Sequence, residues 1–260
     1  MPTNAEQGFL IARGMTKKCA RNFYSASLFL PKEERMASFA VYAVCRISDQ
    51  AVDSPANGSL ENIQRVQRII DSCYQNTKLD SALLFAFRDT ILKYNIPKEY
   101  FDKLLEGMRM DLTKKRYANF TQLDDYCYKA AGVIGLIMLK IFHCDIPEAK
   151  EHAINLGKAM QLTNILRDIK EDFALGRIYL PGDELSCYKI TEEQIRDYII
   201  DDNFRSFLKF QIARAREYYQ EAEKGIYLIK NFRFRLVIGL MSGRYRHILK
   251  RIERNILPCA

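Results

Sequence analysis

The sequence has no tryptophan, only three histidines, and no Cys-x-x-Cys among its seven cysteines, which stand singly at 19, 45, 73, 127, 144, 187 and 259. That scatter and odd count exclude a disulfide framework, and the scarcity of histidine argues against a zinc site. With 12 Gly and 7 Pro in 260 residues, the chain is too poor in chain-breaking residues to be fibrous or of low complexity. The longest apolar run, Ala130 to Leu139, is about half the length needed to cross a bilayer. The first residues, MPTNAEQGFLIARGMTKK, are polar or mixed and contain no secretory signal. A soluble cytoplasmic protein with reduced cysteines is expected. No Gly-x-Gly-x-x-Gly is present, so nothing independent points to a nicotinamide cofactor.

What is present is an apolar, aromatic, helical chain. Residues 16–29, 32–54, 60–76, 79–94, 98–115, 120–142, 148–173, 191–201, 204–230 and 232–256 carry helical periodicity, and no stretch alternates as a strand does. Pro31, Pro97 and Pro147 sit where helices would begin, Ser54 to Gly58 has turn chemistry, and Ala174 to Ser186 is the longest candidate loop. Without an internal repeat or linker, residues 1–260 read as one all-α domain.

The net charge of +8 is concentrated late. Arg205 to Arg254 holds 13 Lys/Arg against 4 Asp/Glu. A solvated helix face, a contact with an anionic membrane and a nucleic-acid surface compete as readings, and no nucleic-acid-binding motif supports the last.

Two helices carry charge in apolar surroundings. From Met36 to Ile47 nearly every residue is apolar or small, the pattern of a buried helix, yet Arg46, Asp49 and Asp53 follow. At about 100° per residue, Tyr42, Arg46, Asp49 and Asp53 share one stripe about 60° wide. In Ala153 to Asp172, Gln161, Asn164, Asp168 and Asp172 share a second stripe, with Leu162, Ile165, Leu166 and Ile169 on the other faces. Asp-x-x-x-Asp spacing also occurs at 197/201, in a polar amphipathic segment read as solvated. Setting therefore separates the first two pairs, because an ionised carboxylate among apolar groups is costly without a compensating cation. Facing one another, the stripes would converge four carboxylates and an amide, an oxygen-only set suited to Mg²⁺. Arg21, Arg46, Arg167 and Arg177 lie near in sequence and offer donor forks for phosphate oxygens. A site for a Mg²⁺-bound diphosphate beside an apolar cavity follows, and an isoprenoid diphosphate fits it.

With these landmarks the sequence resembles the squalene/phytoene synthase family over residues 15–255. The segments that carry the likeness are NFYSASLFLP (22–31), YAVCRISDQAVD (42–53), EGMRMDLTKKRYANF (106–120), YCYKAAGVIG (126–135) and, most specifically, QLTNILRDIKEDFALGRIYLP (161–181). The central segments and GRIYLP lean toward the phytoene synthase branch. The resemblance implies a helical bundle of the isoprenoid synthase type with a central apolar cavity. It implies Asp49, Asp53, Asn164, Asp168 and Asp172 as Mg²⁺ ligands and Arg21, Arg46, Arg167 and Arg177 as diphosphate holders. Phe23, Tyr42, Tyr128, Gln161 and Tyr245 would line the reaction chamber, and Tyr128 would also steer the ionised diphosphate through its hydroxyl. The residue after the first aspartate is often acidic in the family and here is Gln50, off the stripe, which should weaken the site without abolishing it. The membrane-anchoring tail of eukaryotic squalene synthases has no counterpart before Ala260.

The implied activity is that of a Mg²⁺-dependent prenyltransferase joining two geranylgeranyl diphosphates head to head, via a cyclopropylcarbinyl diphosphate, to phytoene. Ser27, small and one helical turn beyond Phe23, is read as leaving room for the longer chain. Alternatives are a C30 enzyme making presqualene diphosphate, dehydrosqualene or squalene from farnesyl diphosphate, and a non-catalytic assembly factor of the same family. Squalene alone would require a hydride, so NADPH is not expected. The basic C-terminal third is read as a peripheral membrane contact or an attractor for the anionic substrate, with no nucleic-acid partner.

Overall fold

The computed structural model describes residues 3–53, 59–75 and 77–256, with the side chains of residues 52, 53 and 256 outside that description. The first helix, α1 (Asn4–Cys19), begins twelve residues earlier than hydrophobic periodicity indicates. Its start is written in Thr3-x-x-Glu6. The Thr3 hydroxyl accepts from the Glu6 amide at 3.2 Å, and the Glu6 carboxylate accepts from the Thr3 amide at 2.7 Å, a reciprocal cap. A short α2 (Arg21–Ser27) follows, then α3 (Lys32–Asp53). As the apolar stretch requires, α3 is buried, with Phe39, Ala40 and Ala43 fully covered. The 54–58 turn lies outside the described residues.

Next come α4 (Leu60–Tyr74), α5 (Ala82–Lys93) and α6 (Lys98–Thr113). Ser59 caps α4 by accepting from the Asn62 amide, and Ile63, Val66, Ile70 and Cys73 form its buried stripe. Beyond a two-residue strand, β1 (Arg116–Tyr117), helix α7 (Phe120–Cys127) runs through one π-helical turn, Tyr128–Gly132, into α8 (Val133–Ile141). The central helix α9 (Pro147–Arg167) has its proline at the first position. It packs against α8, the π turn, α13 (Asp202–Lys224) and α14 (Phe232–Ile256).

Three features correct the sequence reading. The expected helix 148–173 breaks at Asp168 (φ −104°, ψ 20°), where α9 gives way to α10 (Ile169–Ala174). The expected loop 174–186 contains β2 (Ile178–Pro181) and α11 (Gly182–Cys187). β2 pairs in parallel with β1, although no strand was expected anywhere. Such a short ladder leaves no alternating signature, and its partners are distant in sequence. The expected helix 191–201 reduces to α12 (Glu192–Asp197), closed by Tyr198 in the left-handed region at φ 53°.

Glycines let the central helices touch. A methyl group at Gly157 of α9 would stand 2.7 Å from the Ala131 carbonyl carbon, and one at Gly135 of α8 would stand 2.7 Å from that of Ala153. Two large apolar clusters result. One is built on α3 to α6 and α8, the other on α9, α13 and the strand pair. Among the described residues no helix is long and apolar enough to cross a membrane.

Candidate active site

A cavity of about 400 Å³ runs beside α9. Its α9 wall is made by residues three and four apart from Ala149 to Asn164, one face of the helix. At 1.5 Å per residue that wall is about 22 Å long. α3 contributes Val41, Tyr42, Cys45 and Asp49, and α14 contributes Val237, Ile238, Met241 and Tyr245, again at helical spacing. The side chains are apolar along most of the length and polar at one end, where Asp49, Gln161 and Asn164 meet the cavity.

The two stripes therefore do face a common space. Of the residues singled out in the sequence, Phe23, Tyr42, Asp49, Gln161, Asn164 and Tyr245 line it. Phe23 and Tyr42 lie with ring centroids 5.9 Å apart. Burial pushes the Tyr42 phenol up, and burial together with the nearby Asp49 charge does the same to the Cys45 thiol, so Cys45 is inert here. The Asn164 side-chain oxygen is buried without a hydrogen-bond partner, while its amide nitrogen donates to Gln161 at 3.5 Å.

The other candidates are not in the lining. Arg167 donates Nε to the Asp168 carboxylate at 2.6 Å and grips its second oxygen through a terminal nitrogen. Asp172 is pushed up to about 7, first by burial and then by the Asp168 charge, with Arg177 opposing. Arg177 is buried, 8% exposed, in a small recess with Asp172 and Tyr179. Arg46 has its Nε buried without a partner. Arg21 lies in a shallow exposed recess with Lys17, Lys18 and Tyr24. Tyr128 opens the π turn and packs half-buried on the core. The Asp53 carboxylate lies outside the described residues. Ser27 is fully buried with its hydroxyl on the Phe23 carbonyl, and it is not in the lining.

Among the described residues, which do not include the Asp53 side chain, no three Asp, Glu, His or Cys side chains come together as a metal cluster.

Asp111 escaped the sequence reading. It is 7% exposed and accepts a hydrogen bond from the Tyr179 hydroxyl at 2.7 Å, tying α6 to β2. The signal was available, because Asp111 continues the buried stripe of Phe101, Leu104 and Met108 where an apolar residue belongs. The basic C-terminal run is also partly spent internally. Arg214 pairs with Glu184, Arg216 with Glu253 and Arg246 with Glu223.

The squalene/phytoene synthase family model matches residues 16–257. A 15-cis-phytoene synthase of Synechococcus elongatus is 36% identical over 94% of this chain and 83% of its own length. The chloroplastic phytoene synthase 1 of Arabidopsis thaliana is 38% identical over 91% of this chain and 57% of its own length. The crystal structure of squalene synthase HpnC from Alicyclobacillus acidocaldarius superposes with a TM-score of 0.91 at 28% identity, covering 98% of this chain and 97% of that one. A dehydrosqualene synthase solved with a ligand gives 0.91 at 26% identity, covering 96% and 88%. The fold is the all-α isoprenoid synthase bundle around an apolar cavity, and the chain belongs to the squalene/phytoene synthase family.

Proposed function

We propose that this chain is a Mg²⁺-dependent prenyltransferase that condenses two geranylgeranyl diphosphates head to head into phytoene, releasing diphosphate. Residues 1–260 act as one catalytic domain in this reading. The observation that carries it is the long apolar cavity with one polar end, and the higher identity to proteins named phytoene synthase than to the solved C30 enzymes supports the C20 substrate.

The residues at the polar end fit a hard divalent cation. Asp49, Asp53, Asn164, Asp168 and Asp172 would hold Mg²⁺, which would satisfy the orphaned Asn164 oxygen and the strained Asp172 carboxyl. Bound there, it would neutralise the departing diphosphate. Arg21, Arg46, Arg167 and Arg177 donate to phosphate oxygens, Arg167 by exchanging Asp168 for the substrate. The Tyr128 hydroxyl donates to the ionised diphosphate and steers it. Phe23, Tyr42 and Tyr245 offer ring faces to the allylic cation, and the apolar wall keeps water from quenching it. The second substrate's double bond attacks that cation, and proton loss closes the cyclopropylcarbinyl diphosphate. A second ionisation, rearrangement and proton loss yield phytoene, so NADPH is not consumed. A cytoplasmic location with peripheral contact to anionic membrane through α13 and α14 completes the reading. Salt-dependent binding to anionic liposomes is expected, and its absence removes that contact.

Purified protein with Mg²⁺ is offered farnesyl or geranylgeranyl diphosphate, with and without NADPH. A C40 hydrocarbon without NADPH, lost in Asp168→Ala, is expected. A C30 product would overturn the chain length, and no turnover of either would overturn the catalytic reading in favour of a binding role.

A further inference from the structure

The apolar stretch of the cavity wall contains a histidine that diphosphate chemistry does not use. His152, on the first half of α9, lines the cavity far from Asn164. Its Nδ1 lies 2.7 Å from the Glu221 carbonyl oxygen near the end of α13. Because a carbonyl only accepts, Nδ1 carries the proton and the ring is held in one orientation. Gly225, at the end of α13, packs directly on the His152 side chain. A methyl group there would stand 2.5 Å from the imidazole Cγ and 2.6 Å from Cδ2. The Gly225 backbone is ordinary (φ −87°), so what excludes a larger residue is the His152 side chain, Cβ and ring together, and not the Gly225 main chain.

Depth gives this ring a meaning. At about 1.2 Å of advance per backbone bond, an extended farnesyl chain spans about 13 Å and a geranylgeranyl chain about 18 Å. Measured from Asn164 at 1.5 Å per residue, about 18 Å of α9 ends at His152, whereas about 12 Å ends at Leu156, both in the wall. We infer that His152, held by the Glu221 carbonyl and packed against Gly225, forms a floor at that depth on which the tail of a C20 chain rests, one helical turn short of Ala149 where the α9 wall ends, and so sets the longest chain the cavity accepts. This rests on the prenyl diphosphate reading of the cavity but not on turnover.

The test uses the whole chain with Mg²⁺ and the inert S-thiolodiphosphates of farnesol, geranylgeraniol and the C25 geranylfarnesol. Affinities are measured by calorimetry, beside kcat/KM for the two natural diphosphates. His152→Trp, which raises the floor, is expected to weaken the C20 analogue at least tenfold and the C15 analogue less than twofold, with the kcat/KM ratio following. His152→Ala, which lowers it, is expected to raise C25 affinity relative to C20 at least fivefold. It keeps the inference testable should the bulkier variant not fold. If folded variants change all chain lengths equally, or none, His152 is not the floor. Protein that turns nothing over yet shifts its chain-length preference with His152 would overturn the catalytic reading and keep the gauge. Failure to bind any prenyl thiolodiphosphate would overturn the gauge.

Discussion

Gly157→Ala perturbs the contact between α9 and the π turn with one methyl group. The new carbon would stand 2.7 Å from the Ala131 carbonyl carbon and 2.8 Å from the Gly132 Cα, against the 3.4 Å at which ordinary contact begins. Both neighbours are backbone and the Ala131 carbonyl oxygen lies closer still, so the helices must part by about 1 Å. A gap of that size forfeits a quarter to a half of the dispersion energy along the seam, and overpacking of this kind costs about 3 kcal/mol at its upper range. Alanine's better helix propensity returns about 1 kcal/mol, leaving a net loss of about 2 kcal/mol. Gly14→Ala isolates the propensity term, because Gly14 lies inside α1 with nothing within 4 Å of a new methyl. For a chain of this size the expected changes in Tm are a fall of about 4–8 °C for Gly157→Ala and a rise of about 2–4 °C for Gly14→Ala. Thermal melts followed by far-UV circular dichroism read both. A Gly157→Ala protein melting at or above wild type would refute the close-packed seam.

Asp172 gives a pH dependence. Its carboxyl is pushed up to about 7 in the folded state, first by burial and then by the Asp168 charge, with Arg177 opposing, against 3.8 for an ordinary side chain. The folded state therefore holds this proton more tightly, and the resulting stabilisation, complete below about pH 4, is lost as pH rises through 7. In chelator-treated protein Tm should fall from pH 5 to 8 more steeply than in Asp172→Asn, and parallel curves would contradict the assignment. Tyr179→Phe removes a donor from buried Asp111 and should cost about 1–2 kcal/mol, seen as a lower urea midpoint with unchanged slope. An unmoved midpoint would show that the β2 tether is dispensable.

The sequence made α3 and the polar end of the cavity readable because both depend on local periodicity. Tyr42, Asp49, Gln161 and Asn164 reach the cavity where one regular helix would place them. Extrapolating that regularity past Arg167 failed, since neither glycine nor proline marks the break at Asp168 and only the surrounding packing imposes it. The β1–β2 pair was invisible for a related reason: it joins residues more than sixty positions apart, with the Ile178 amide donating to the Lys115 carbonyl. α1 was a different kind of miss. Its hydrophobic stripe is thin, with only Gly8, Ala12 and Thr16 buried, yet its capping box was plain in Thr3 and Glu6. The clamp on His152 involves Glu221 and Gly225, which become its neighbours only when α13 folds back on α9.

The single wide turn at Tyr128–Gly132 fixes the phase of everything after it. Its residues Ala130 and Ala131 belong to the cavity wall, as do Ile134, Gly135 and Met138 beyond it. The wide turn takes up one residue more than an ordinary turn, so deleting one residue there would restore ordinary winding and leave α8 nearly in phase, whereas ordinary winding at the present length would roll α8 by about 100° and advance it about 1.5 Å. With that roll the wall would present other side chains to the cavity, and Gly135 would lose its seat against Ala153. The length of this segment is thus as much a determinant of the cavity as the identity of its residues.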